Sequence, residues 1–147
     1  MAGKKKILIV EDNSDIRRLM VFFLEQMGYD VLEAATGLAA IERASATLPD
    51  LITMDLGLPD ITGDTATARL KADPSTKHIP VIAITAYYKE SPLVESAVAA
   101  GACEVLYKPI TLRSLDDALR RLLTVKPNER ALQQHEIQQS LPTTAHG

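Results

Sequence analysis

The sequence predicts an α/β fold: a parallel sheet with helices packed on both faces. Two observations carry that prediction. Short apolar runs alternate with segments of helical periodicity five times along the 147 residues. Two of the runs, Ile7-Leu8-Ile9-Val10 and Val81-Ile82-Ala83-Ile84, are apolar throughout, as strands covered on both faces are.

The elements follow in order. The first strand spans 6–10. Asn13 or Ser14 then caps a helix to about residue 27, with Ile16, Leu19, Met20, Phe23, Leu24 and Met27 at helical spacing. Gly28 ends it. The second strand is 29–34. Thr36 opens a helix through about 47, with Leu38, Ile41 and Ala44 expected inward. Pro49-Asp50 turns the chain into the third strand, 51–54. The loop 56–63 leads to a third helix, roughly 64–72, broken by Asp73-Pro74. The fourth strand is 80–84. Ser91-Pro92 supplies an N-cap with proline in the first turn of a helix ending near Gly101. A short fifth strand, 104–107, precedes Lys108-Pro109, and Thr111 caps a last helix to about 124 with Leu115, Ala118, Leu119, Leu122 and Leu123 inward.

Composition narrows the function classes. Hydrophobic content of 46% and charged content of 24% are those of an ordinary globular domain. A net charge of −3 lacks the basic excess that a nucleic-acid footprint requires. No apolar stretch approaches the roughly 20 residues of a membrane span, and no secretory leader is visible. The single cysteine, Cys103, rules out an internal disulfide and reads as a buried thiol. His78 sits in a polar turn without a second histidine or cysteine at metal spacing. A cytoplasmic protein is the expectation.

Ligand sites in such folds lie beyond the carboxyl ends of the strands. Glu11 and Asp12 follow the first strand, Asp55 the third, Thr85 the fourth and Lys108 the fifth. Each alone has an ordinary explanation as a turn, cap or solvated residue. Together they place three carboxylates, a hydroxyl and an ammonium at one sheet edge. Clustered carboxylates repel unless something compensates them. Lys108 supplies one positive charge, and a hard divalent cation, Mg²⁺, would supply two more to an all-oxygen site. A carboxylate can also serve as a nucleophile toward phosphorus. The chemistry that follows is phosphoryl transfer to an aspartate.

The segments ILIVEDN, MDLGLPDITG, IAITA and LYKPI resemble those of response-regulator receiver domains of two-component signalling, in order and at ordinary spacing over about residues 4–124. The resemblance implies a doubly wound (βα)5 flavodoxin-like fold with strand order 2-1-3-4-5. It implies that Asp55 is the phospho-acceptor. Glu11 and Asp12, with Asp55 and the backbone carbonyl of Gly57, would hold Mg²⁺. Thr85 would bond the phosphoryl group, Lys108 would be the site lysine, and the Lys108-Pro109 bond would be cis. The donor would be a histidine kinase or histidine phosphotransfer protein. The output would be a protein–protein contact with a downstream target, involving neither nucleic acid nor membrane, from a monomer or weak dimer through the fourth and fifth helices.

Glu11 stands where many members have aspartate, a variation that keeps metal ligation. The aromatic switch position, three residues before the lysine, is Val105, which leaves coupling through Thr85. Tyr87 borders the site in this family, and Gly57 leaves the opposite side open. Two rivals come from other classes: a phosphorylation-independent interaction module of the same fold, and a haloacid-dehalogenase-type phosphohydrolase. The latter wants an Asp-x-Asp pair where this chain reads Glu11-Asp12-Asn13, and cap insertions that it has no room for. Residues 1–124 are assigned to the receiver domain. The remainder, 125–147, has few apolar positions (Ala131, Leu132, Ile137, Leu141) and is expected to be a disordered tail or a fraying helix.

Overall fold

The computed structural model describes residues 3–124; the predicted tail lies outside them. The elements are β1 (Lys6–Val10), α1 (Ser14–Gln26), β2 (Asp30–Ala34), α2 (Gly37–Thr47), β3 (Leu51–Asp55), α3 (Gly63–Ala72), β4 (Val81–Thr85), α4 (Pro92–Ala100), β5 (Glu104–Tyr107) and α5 (Leu112–Thr124). All neighbouring strands pair in parallel, in the order β2-β1-β3-β4-β5. The predicted doubly wound flavodoxin-like fold is the observed one.

The period-2 alternation of the inner strands divides the core. Ile7, Ile9, Leu51, Ile82 and Ile84 face α1 and α5, packing on Met20, Leu24, Leu115, Leu119 and Leu122. Leu8, Val10, Ile52, Met54 and Val81 face α2 and α3, packing on Ala40, Ala44, Ala66 and Leu70. A third cluster, Leu56, Ala83, Val94, Ala97 and Ala102, seats α4. A buried Leu or Ile contributes about 1.5–3 kcal/mol, so these layers fix the sheet firmly beneath its carboxyl edge.

The caps follow the sequence. The side chains of Asn13, Thr36 and Ser91 accept from the N–H groups of Ile16, Ala39 and Leu93, and Thr111 Oγ1 accepts from Ser114 N–H. Gly28 and Gly101 adopt positive φ at the ends of α1 and α4. Cys103 is buried, and Lys108-Pro109 is cis. Among the described residues no helix is long and apolar enough to cross a membrane.

Two packing expectations are corrected. Leu38 is 52% exposed, because it occupies the first turn of α2, where its N–H is bonded by the loop after β3 and its side chain faces outward. Ile16 and Leu19 of α1 are exposed as well; the buried residues of this helix are Met20 and Leu24, with Val21 packed half-buried against the same core. Strands β3 and β4 each run one residue past their apolar runs, to Asp55 and Thr85.

Among the described strand residues, one buried hydroxyl is left unpaired. Thr53 is 1% exposed, and its hydroxyl has no hydrogen-bond partner. It lies between Ile9 and Ile82 on the neighbouring strands. Thr53→Val keeps the shape and removes the unpaired group, so it is expected to stabilise the fold by about 1 kcal/mol in thermal or denaturant unfolding.

Candidate functional site

The carboxyl edge of the sheet carries the site. Glu11 and Asp12 leave β1, and Asp55 closes β3, the neighbouring strand. One carboxylate oxygen from each lies within 4.8 Å of the others. Glu11 is 2% and Asp55 6% exposed, whereas Asp12 is exposed. Two buried carboxylates and a third at the mouth would be untenable without compensation.

Lys108 supplies part of it. Its ammonium is 2.9 Å from Glu11 Oε1 and 3.5 Å from Asp55 Oδ2. Burial pushes the Glu11 carboxyl above its usual range, although the Lys108 hydrogen bond and the Asn13 N–H oppose the rise. For Lys108, burial alone would lower the ammonium's pKa. The hydrogen bond to Glu11 and the charge of Asp55 outweigh it and hold the group charged. One ammonium against three carboxylates leaves a negative site. Its donors are hard oxygens, and a divalent cation with oxygen preference fits them.

Local structure holds each group in place. Asn13 N–H donates to Glu11 Oε2 at 3.2 Å, and the Arg17 guanidinium donates to the Glu11 carbonyl at 2.7 Å while pairing with Glu33. Gly57 N–H donates to Asp55 Oδ1 at 3.2 Å, a turn in which the carboxylate caps the backbone two residues on. Gly63 approaches the backbone of Asp55 and Leu56 so closely that a Cβ would collide with it, and its N–H donates to the Leu56 carbonyl at 3.0 Å. The loop 56–63 is thereby closed at its base.

Thr85 is fully buried beside this cluster. Its hydroxyl accepts from Tyr87 N–H at 2.9 Å, and its carbonyl accepts from Lys108 N–H at 2.7 Å. The hydroxyl is thus tied to the backbone that leads into α4, and the carbonyl to the site lysine. The Tyr87 ring borders Gly57: a Cβ there would meet Tyr87 Cε2 at 3.9 Å. Val105 is partly buried against the α4 cluster.

Sequence reasoning therefore named the residues that the fold gathers: Glu11, Asp12, Asp55 and Lys108 in one cluster, with Thr85 and Gly57 at its rim. It missed Arg17, whose signal was a basic residue in the first turn after the acidic pair. It also missed Asp60, which reads as an ordinary Pro-Asp turn yet binds the start of α2. An apolar groove of about 410 Å³ adjoins the cluster between α1 and the β5–α5 connection, lined by Ile16, Leu19, Phe23, Ile110 and Leu112 with Lys108 at its end.

A doubly wound sheet in the order β2-β1-β3-β4-β5 with an acidic, lysine-bearing carboxyl edge is the architecture of a signalling receiver domain. The chain belongs to the response regulator receiver domain family, whose model matches residues 7–120; its setting is two-component signalling. It is 36% identical over 120 residues to the polar-differentiation response regulator DivK of Brucella ovis, covering 81% of this chain and 96% of that one. Among solved structures it is similar to the receiver domain of a Pseudomonas aeruginosa sensor histidine kinase that has a magnesium ion coordinated in its active-site cleft (TM-score 0.78, 32% identity, 84% of this chain and 100% of that one). It is likewise similar to the Vibrio cholerae chemotaxis protein CheY4 (TM-score 0.76, 30% identity, 82% and 100%).

Proposed function

We propose that this chain is a response regulator receiver that takes a phosphoryl group onto Asp55, with Mg²⁺, from a histidine kinase or histidine phosphotransfer protein. The observation that carries the proposal is the clustering of three carboxylates within 4.8 Å of one another, two of them paired with a half-buried lysine. Glu11, Asp12, Asp55 and the Gly57 carbonyl would hold the cation, as a magnesium ion is held in the cleft of the Pseudomonas domain. When bound, Mg²⁺ would supply charge neutralisation between the carboxylates and the phosphoryl oxygens.

An Asp55 carboxylate oxygen attacks phosphorus, and the bond from phosphorus to the donor's imidazole nitrogen breaks, its electron pair leaving with the nitrogen. The product is an aspartyl phosphate, which water later cleaves to regenerate the carboxylate. The Lys108 ammonium, already at the Asp55 carboxylate, pairs with a phosphoryl oxygen. The Thr85 hydroxyl, whose proton is free of the Tyr87 contact, donates to another. Drawing Thr85 toward Asp55 pulls on Tyr87 and the turn into α4, and the altered face around 86–101 and β5 is what a cytoplasmic partner reads.

The test is intact mass after incubation with acetyl phosphate. One phosphoryl group is expected with Mg²⁺ and none with chelator. If neither acetyl phosphate nor beryllofluoride with Mg²⁺ alters the protein, the phosphorylation-independent module replaces this reading.

The groove beside Lys108 suits the donor protein. Its exposed Ile16, Leu19 and Leu112 are continuous with the acceptor site, so an amphipathic helix laid there would present its histidine to Asp55. Leu19→Asp is expected to slow transfer from the cognate protein donor by about tenfold or more, the effect of losing a buried apolar anchor. The rate with acetyl phosphate should not change. Equal slowing of both donors would place the defect in the site instead.

A further inference from the structure

The loop that carries Gly57 is anchored at two places. Its base is closed by the Gly63 N–H to Leu56 carbonyl bond. Its tip is held by Asp60, whose Oδ1 accepts from Gly37 N–H and whose Oδ2 accepts from Leu38 N–H, both at 2.8 Å. These donors are the first two N–H groups of α2, at the positive end of the helix dipole. Thr36 caps the next available N–H, that of Ala39. The neighbouring Ile61 packs against Gly37 so tightly that a Cβ there would stand 2.5 Å from Ile61 Cγ1. Desolvation pushes the Asp60 carboxyl up, but hydrogen bonds from the Leu38, Gly37, Ile61 and Asp60 amides together outweigh it and hold it at about 2, so the clamp is ionised at neutral pH.

A carboxylate gripping two amides of a packed helix fixes the position of its own backbone. Gly57 is three residues away, between that clamp and its own N–H bond to Asp55. Only Leu58 and Pro59 separate it from the clamp, so a shift of Asp60 is passed to the Gly57 backbone over a short stretch of chain.

We infer that Asp60 is a positioning residue for the cation site: by pinning the tip of the β3–α3 loop to the start of α2, it sets the Gly57 backbone at the acidic cluster. The inference rests on the reading of that cluster as a Mg²⁺ site. Two predictions separate this role from helix capping. Removing Asp60 weakens Mg²⁺ binding, whereas removing the other cap of the same helix does not.

The experiment is a Mg²⁺ titration of the full chain, followed by amide shifts of Gly57 and Asp12 well below the melting temperature, for wild type, Asp60→Ala, Asp60→Asn and Thr36→Ala. Asp60→Ala is expected to weaken Mg²⁺ binding by about tenfold, the usual loss for an outer partner of a metal site. Asp60→Asn, which keeps one acceptor oxygen, should fall between it and wild type; it also carries the test should the alanine variant not fold. Thr36→Ala should lower the melting temperature and leave Mg²⁺ affinity unchanged. If both Asp60 variants lower the melting temperature yet bind Mg²⁺ as wild type does, Asp60 is only a cap and the inference fails. If wild type itself shows no Mg²⁺ response, the reading of the acidic cluster fails, and this inference fails with it.

Discussion

Asp55→Asn is expected to abolish phosphoryl uptake while leaving the protein folded. The amide keeps the shape and the acceptor oxygen that Gly57 N–H uses, so the turn after β3 survives. It loses the anionic oxygen, and a neutral amide is no nucleophile toward phosphorus. Stability should not fall. The closer ion pair of Lys108 is with Glu11, at 2.9 Å against 3.5 Å for Asp55, so the lysine keeps its main partner. Removing one of three crowded carboxylates also relieves their repulsion. Intact mass with acetyl phosphate and Mg²⁺, run beside a melting curve, reads both effects. A variant that still gains a phosphoryl group would move the acceptor to another side chain and leave the Asp55 assignment untenable.

The fold was legible because its strands are short, apolar and separated by strong punctuation. Gly28, Pro49-Asp50, Asp73-Pro74 and Gly101 mark ends that the structure keeps within a residue or two. The acidic cluster was legible for a related reason: a parallel sheet brings every strand's carboxyl end to one edge, so sequence order alone gathered Glu11, Asp12, Asp55 and Lys108. What escaped depended on tertiary geometry. Leu38 has the spacing of a core residue but sits where α2 has not yet reached the sheet. Asp60 has the sequence signature of a turn, and only the approach of α2 gives its carboxylate two donors. Thr53 lies in a strand of apolar neighbours, and nothing in sequence shows that its hydroxyl is left unpaired.

Gly63→Ala is the substitution outside the acidic cluster expected to do most damage. A Cβ at this position would collide with the Asp55 carbonyl oxygen and lie 2.8 Å from Leu56 Cα and 3.0 Å from the Asp55 carbonyl carbon. All three are backbone atoms, so no side chain can rotate away, and relief requires the end of β3 and the start of α3 to part. That movement stretches the Gly63 N–H to Leu56 carbonyl bond that closes the loop, and it displaces Asp55 itself. Overpacking of this kind costs about 1–3 kcal/mol, or a fall in melting temperature of roughly 5–15 °C for a domain of this size. Phosphoryl uptake should drop even at temperatures where the variant is fully folded, because the acceptor carboxylate is no longer held against Lys108. Gly57→Ala is the control within the same loop: a Cβ there meets only Tyr87 Cε2, at an ordinary 3.9 Å, and should melt near wild type. Equal melting temperatures and equal phosphoryl uptake for Gly63→Ala and Gly57→Ala would mean that the loop base yields freely and does not hold Asp55 in register with the other carboxylates.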